Sequence, residues 1–218
     1  MALPKPQKTE SKVWPKHPDG THQLALADVI YLGHRITTTT VKDKVTGEKR
    51  EESYPQERVA LVWQSMECEP GTATRFELMN EFTWTASDRG NLWKFLGPWL
   101  GPFATKEAFE AIMEGLDGRV GENVVATIAH NPGKQDPSKV YVNVETVGKL
   151  MKGMQPFAVA GYVRKEHWTK KADGYKADHA AFLADRASRA DAVKSPTQGM
   201  DEFPAALDDG AEDTDLPF

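Results

Sequence analysis

The order of hydrophobic periodicities along the chain is the strongest constraint on its fold. Three stretches, "LALADVIYLGHRITTTT", "ERVALVWQSME" and "RFELMNEFTW", alternate apolar and polar residues as strands do. A helical period follows, and then two more alternating stretches, "GENVVATIAH" and "VYVNVETVG". Three strands, a helical insert and two strands is the element order of a five-stranded Greek-key OB barrel. A generic α+β sandwich built from the same elements is the alternative.

Alternation also predicts which side chains point away from the core. In the first strand we place Leu26, Ile30, Leu32 and Ile36 on one face, and Tyr31, Arg35 and Thr37 on the other. In the last strand we place Val140, Val142 and Val144 inward, with Tyr141 and Asn143 outward.

The insert has the pattern of two helices. Ser87 or Asp88 is predicted to cap the first, which the Gly97–Pro98 pair is expected to interrupt. Thr105 is predicted to open the second, because the apolar residues after it recur with a helical period. Those residues are Phe109, Ile112, Met113 and Leu116.

Composition divides the chain into four parts. Residues 1–22 contain four prolines and are predicted to be a flexible arm, and residues 23–164 form the barrel. Residues 165–194 are basic and rich in alanine, with the pattern of a short amphipathic helix on Phe182 and Leu183. Residues 195–218 are dominated by Pro, Gly and acids, which predicts a disordered acidic tail.

Charge is distributed unevenly along the chain. The net charge is −5, but the last 18 residues hold seven acids and no Lys or Arg. The remaining chain has 27 basic and 25 acidic residues, and nine Lys or Arg lie between Lys134 and Lys176 against four acids. A basic region beside an acidic tail is typical of proteins that bind a polyanion.

An OB barrel binds single strands with a cationic groove and aromatic faces for the bases. The candidate DNA-binding residues are Tyr31, Arg35, Lys42, Arg58, Arg75, Lys134, Lys139, Tyr141 and Trp168. An outward tyrosine can instead fill a cross-strand pair. If Tyr31 and Tyr141 were buried, a protein-interaction adaptor would be the better interpretation.

Motifs for enzyme chemistry are missing from the sequence. The six histidines show no HExxH or HxH spacing, no phosphate loop ends in GK[ST], and there is no GxSxG. We therefore expect no catalytic residue, cofactor or metal. A single cysteine, Cys68, cannot form an intramolecular disulfide, and neither a signal peptide nor a membrane span is evident, so a cytoplasmic location is expected.

The end of the chain, "DDGAEDTDLPF", resembles the acidic tip of bacterial single-stranded DNA-binding proteins. "NLWKFLGPWLG", "LDGRVGENVVATIAHN" and "VYVNVETVGKLMKGM" resemble a family of phage single-stranded DNA-binding proteins. The resemblance implies an OB fold that binds single-stranded DNA without sequence preference in replication, recombination and repair. It also implies that replication and recombination proteins dock on the tip through Asp213, Asp215, Leu216, Pro217 and Phe218.

Other interpretations of function and assembly stay open. An adaptor in a recombination or replication complex and an RNA-binding OB-fold protein are the functional alternatives. No membrane partner is expected, and both a monomer and a homo-oligomer are compatible with the sequence.

Overall fold

In this computed structural model the described residues are 15–43, 46–133, 136–137 and 139–194, with side chains described up to 189. Five strands form one antiparallel sheet in the order β3-β2-β1-β4-β5. They are β1 (Gly20–Lys42), β2 (Lys49–Cys68), β3 (Arg75–Thr83), β4 (Asn123–Pro132) and β5 (Val140–Lys149). The helices are α1 (Asn91–Leu100), α2 (Lys106–Glu114) and α3 (Glu166–Lys194), with a 3-10 turn at Asp117–Arg119.

The predicted order of elements is confirmed: three strands, a helical insert and two strands. Strand β1 is central, since it pairs with β2 along most of its length and with β4 over Gly20–Ala25. The edge strands β3 and β5 approach each other, and Asn80 Nδ2 donates a hydrogen bond to the Val144 carbonyl at 2.8 Å. The chain divides into two compact units between Phe182 and Leu183, and the sheet belongs to the first.

The main core lies between the sheet and the helical insert. It draws buried residues from all five strands and from α1 and α2, and Trp63, Leu96 and Phe109 are each 0% exposed. Complete burial of a large apolar side chain contributes about 1.5–3 kcal/mol, so this cluster supplies most of the apolar stabilisation. The inward placement of Val144 is confirmed, while Val140 and Val142 are half-buried.

Helix α1 differs from its prediction at both ends. The N-cap is Gly90 and not Ser87 or Asp88 as predicted, so no side chain caps the start of the helix. The helix also runs through Pro98 to Leu100 instead of breaking at the Gly97–Pro98 pair. Pro98 falls in the last turn, where its missing N–H removes only one helical bond. Burial of the neighbouring Trp99, which is 4% exposed, offsets that loss.

Helix α2 begins as predicted. The Thr105 hydroxyl accepts a hydrogen bond from the Ala108 N–H at 3.2 Å, which satisfies a donor at the helix start. Phe109 and Met113 are buried on the core face of α2, and Leu116 is buried just after it.

A second core lies on the opposite face of the sheet, beneath the beginning of α3. Trp168 packs there at 3% exposure with Ile30, Leu32 and Val62. The helix spans 29 residues, so it is longer than predicted, and it does not bury Leu183, which is 51% exposed. Apolar packing of α3 is therefore concentrated in its first turns.

An ionic contact fixes the segment that leads into α3. Arg164 donates two hydrogen bonds to the Asp28 carboxylate, at 2.6 and 2.7 Å, and the Tyr162 hydroxyl donates a third at 2.8 Å. Burial and the Asp28 hydrogen bond raise the pKa of Tyr162, so its phenol stays protonated and donating. The segment is thereby tied to β1.

Two register shifts in β1 change the predicted faces. Ala27 and Leu32 are extra residues without a partner in the β1–β2 register. Each extra residue moves the following side chains to the other face. Leu26 consequently packs in the main core, whereas Ile30 packs in the second core, and the single apolar face predicted for this strand is wrong.

The N-terminal boundary also differs from the predicted arm of residues 1–22. Residues 1–14 lie outside the described residues, but His17 is 1% exposed and β1 begins at Gly20. A hydrogen bond between His17 Nε2 and the Ser65 hydroxyl, 2.7 Å long, holds this segment against β2. Among the helices that the structure describes, none is both long enough and apolar enough to cross a membrane.

Candidate nucleic-acid interface

Two of the candidate aromatic residues are exposed on strands. Tyr31 in β1 is 54% exposed and Tyr141 in β5 is 55% exposed. Burial and the neighbouring Glu57 raise the pKa of Tyr31, so the phenol is neutral over the physiological pH range. A neutral ring with half of its surface exposed can stack on a base, which is the usual role of aromatic residues in single-strand binding.

The bulge at Leu32 separates Tyr31 from its predicted neighbour. Tyr31 pairs with Val59, while Arg35 pairs with Gln56. Directly opposite residues share a face, and Val59 and Gln56 are an odd number of positions apart. Tyr31 and Arg35 therefore lie on opposite faces, and the prediction that they share one is wrong.

The distal parts of β1 and β2 form a two-stranded ribbon, residues 35–42 and 49–56. Among the described residues these segments pair only with each other, and none of their side chains is buried. Arg35 lies on the face that carries Tyr54, which is 40% exposed and accepts a hydrogen bond from Gln56 at 3.3 Å. Sequence reasoning missed Tyr54, although the alternation in "ESYPQE" was available to place it.

Basic residues continue along this ribbon toward its tip. Arg50 falls on the Arg35 face and forms an ion pair with Glu52 at 2.6 Å, while the exposed Lys42 lies on the other face. The ribbon thus presents cations on both faces, with an aromatic ring on one.

Two candidate arginines are engaged with other parts of the fold, Arg58 with β3 and Arg75 with the segment that follows β5. Arg58 donates to Glu81 at 3.0 Å and to Thr83 at 2.8 Å. The Arg75 guanidinium lies 4.5 Å from the centre of the Phe157 ring and donates to the Ala158 carbonyl at 2.8 Å. Both cations support the fold, because their donors are already directed at protein groups.

Trp168 is placed differently from its prediction. The sequence suggested a ring stacked over a basic surface, but the side chain is buried in the second core. Lys171 does lie 5.6 Å from the ring, as the basic context indicated, yet the ring faces the sheet. Trp168 is therefore a packing residue in this structure and is not available for stacking.

The β4–β5 hairpin holds the other exposed tyrosine. Tyr141 pairs with Asn131, and its ring lies against Gly133, where an added Cβ would be 3.0 Å from Cε2. Lys139 is on the same hairpin with 68% of its side chain exposed, 3.7 Å from Asp136. Lys134 lies outside the described residues, as does the whole predicted tip at 213–218.

A cleft beside α1 adds a second cationic and aromatic surface that the sequence did not predict. It has a volume of about 480 Å³ and is lined by Trp93, Phe103, Lys94 and Lys149, together with glycines and prolines. The Trp93 and Phe103 rings meet edge to face, 5.2 Å apart. Trp93 and Lys94 are adjacent in the stretch "NLWKFLGPWLG", so a signal for this surface was present in the sequence.

The described residues also contain one group with the spacing of metal ligands, formed by His17, His22 and Glu67. Comparisons with protein-family models, curated protein sequences and solved structures find no match to this chain.

Proposed function

We propose that this chain is a non-sequence-specific single-stranded DNA-binding protein of DNA replication and recombination, built on an OB barrel. The strand order β3-β2-β1-β4-β5, with helices between β3 and β4, supports the barrel. The Asn80–Val144 hydrogen bond between the two edge strands supports a barrel that is partly closed. Resemblance of the body and tip to phage and bacterial single-stranded DNA-binding proteins agrees with this assignment.

The observation that carries the function is the exposure of Tyr31 and Tyr141. Tyrosines that served only as packing residues of an adaptor would be covered, whereas these rings are 54% and 55% exposed. Stacking of a base on such a ring contributes about 1–3 kcal/mol and depends little on sequence. Bases on Tyr141, Tyr31 and the ribbon's Tyr54 would account for binding without sequence preference.

Cations near the rings would bind the phosphate backbone of the DNA and so add to the affinity. Lys139 accompanies Tyr141, and Arg35 accompanies Tyr54. Each phosphate neutralised by Lys or Arg releases counterions, so the affinity falls as salt rises. The tip residues Asp213, Asp215, Leu216, Pro217 and Phe218 would dock partner proteins rather than DNA, since acids repel phosphates.

Fluorescence anisotropy with a labelled oligo-dT tests the proposal on the intact chain. Tyr141→Ala is expected to weaken binding about 5–150-fold, which corresponds to the loss of one stacked base. Tyr141→Phe is the matched control, because it keeps the ring and removes only the hydroxyl, and it should bind like the wild-type chain.

Two outcomes would redirect the assignment. Absence of binding to oligo-dT at low salt would contradict the DNA-binding proposal and favour a protein-interaction adaptor. Markedly tighter binding of oligo-rU than of oligo-dT of equal length would identify RNA as the ligand.

A further inference from the structure

Three side chains that are distant in sequence converge where the segment before β1 meets the end of β2. They are His17, His22 and Glu67, and one ligand atom from each lies within 4.8 Å of the others. His22 Nδ1 is 2.5 Å from Glu67 Oε1, and His17 Nε2 is 4.0 Å from Glu67 Oε2. The two imidazole rings meet edge to face with centroids 4.6 Å apart.

The outer nitrogen of each imidazole contacts a backbone carbonyl. His17 Nδ1 lies 2.7 Å from the Pro18 carbonyl, and His22 Nε2 lies 3.0 Å from the Asp19 carbonyl. Because a carbonyl only accepts, both of these nitrogens must carry the proton. His17 Nε2 and His22 Nδ1 are therefore the nitrogens left to bind an ion, and both lie on the side of the Glu67 carboxylate. Metal-ligating histidines are typically oriented in this way.

His17 is the deepest of the three ligands, since its side chain is 0% exposed. The Ser65 hydroxyl donates a hydrogen bond to His17 Nε2 at 2.7 Å, and a bound ion would take the place of that proton. The site is open on one side, since 42% of the Glu67 side chain is exposed. An ion with one bound water could enter there.

We propose that His17, His22 and Glu67 form a binding site for Zn²⁺. Two imidazole nitrogens and one carboxylate oxygen are a common zinc ligand set, whereas Mg²⁺ and Ca²⁺ take oxygen ligands. Tetrahedral zinc with ligand bonds of about 2.0–2.1 Å separates its ligand atoms by about 3.3 Å. The observed separations of 2.5 and 4.0 Å lie on either side of that value. Small side-chain rotations would accommodate the ion between them.

This site is independent of the proposed DNA-binding function. The ion would link the segment that carries His17, which precedes the sheet, to the end of β2, and so would act as a structural staple. The expectation of no metal rested on short ligand spacings in the sequence. Here the histidines are five residues apart and the carboxylate comes 45 residues later, so only the pairing of β1 with β2 brings them together.

Calorimetric titration of the untagged, EDTA-treated full chain with ZnCl₂ tests the site. We expect one Zn²⁺ per chain with micromolar affinity, and no comparable binding of Mg²⁺. Zinc at about 100 times its dissociation constant should raise the melting temperature by about 5–10 °C. Glu67→Gln and His22→Gln should each weaken zinc binding at least tenfold.

His34→Gln is the matched control. His34 lies 3.3 Å from Glu57 on the same pair of strands, and among the described residues no third ligand atom joins that pair. The control should bind zinc like the wild-type chain. Because His22 and Glu67 are less buried than His17, their variants should keep the far-ultraviolet circular dichroism of the parent.

Two results would overturn the site. One is zinc affinity that is equal in the wild-type chain and the folded His22→Gln and Glu67→Gln variants. The other is the absence of any saturable zinc binding to the wild-type chain.

Discussion

At the scale of single residues, Glu81 joins three elements through one carboxylate. Arg58 of β2 donates to it at 3.0 Å and Tyr175 of α3 at 3.1 Å, and Lys171 of α3 forms an ion pair with it. Only 19% of the Glu81 side chain is exposed. A carboxylate in that position is stable as an anion only while its donors are present, so it couples the docking of α3 to the sheet.

The variant Glu81→Gln is predicted to lower the free energy of unfolding at pH 7 by about 1–3 kcal/mol. Burial by itself would raise the pKa of Glu81, but hydrogen bonds from Lys171 and Arg58 outweigh it and lower the pKa. A lowered pKa contributes stability above the ordinary value of 4.5, and that stability is lost as the pH falls through the folded value. Urea unfolding at neutral and acidic pH should show the gap between the two proteins narrowing in acid.

Glu110→Gln is the control for Glu81→Gln. Glu110 pairs with Lys106 on α2 at 3.3 Å, but both side chains are largely exposed, so its loss should change stability by less than about 0.5 kcal/mol. A gap between wild type and Glu81→Gln that is the same at both pH values would contradict the role assigned to the Glu81 charge.

At the scale of elements, α3 carries a helix-breaking residue in its interior. Gly174 is exposed, and a Cβ added there would meet nothing within 4 Å. Glycine in a helix interior is less favourable than alanine by about 1 kcal/mol. Gly174→Ala should therefore raise the melting temperature by about 2–4 °C, measured by thermal unfolding.

Gly33→Ala should have the opposite effect and lower the stability of the fold. No atom lies within 4 Å of a Cβ added at Gly33 either, but its φ of +82° is unfavourable for a side chain. The expected loss is about 1–2 kcal/mol. A stabilised Gly33→Ala, or a destabilised Gly174→Ala, would mean that contacts rather than backbone conformation decide these positions.

The type and order of the elements could be predicted from the sequence, because each periodicity reflects local burial. The bulges of β1 could not, since one extra residue such as Ala27 or Leu32 leaves composition and average hydropathy unchanged. Trp168 and Arg75 were misread for a different reason. Their partners lie more than 80 residues away in sequence or on another element, and a local pattern carries no information about them.

The exposed tyrosines of the candidate interface were easier to predict. Tyr141 follows the plain alternation of β5, which is undisturbed until after Val144. Tyr31 lies between the two bulges of β1 and on the same face as Leu26, so its predicted face is wrong although its exposure agrees with the prediction. The rest of the surface depends on which strands pair and which helix covers them.

At the scale of the whole molecule, the net charge comes from the C-terminal acids and not from the sheet and its helices. The five acids beyond Pro204 account for the entire net charge of −5, since no Lys or Arg follows that residue. Under the proposed function, we expect this polyanionic segment to compete with DNA for the same cations. The competition is electrostatic and should weaken as salt screens it.

A chain that ends at Pro204 is predicted to bind oligo-dT roughly fivefold or more tightly at low salt, because removal of the competing acids brings the net charge to zero. Anisotropy titrations at low and moderate salt should show the advantage of the truncated chain shrinking as salt rises. Phe218→Ala is the matched control, since it keeps every acid and should bind DNA like the intact chain. Equal affinities of the truncated and intact chains at low salt would show that the tail does not compete. Tighter binding by Phe218→Ala would assign the competition to the aromatic tip rather than to its charge.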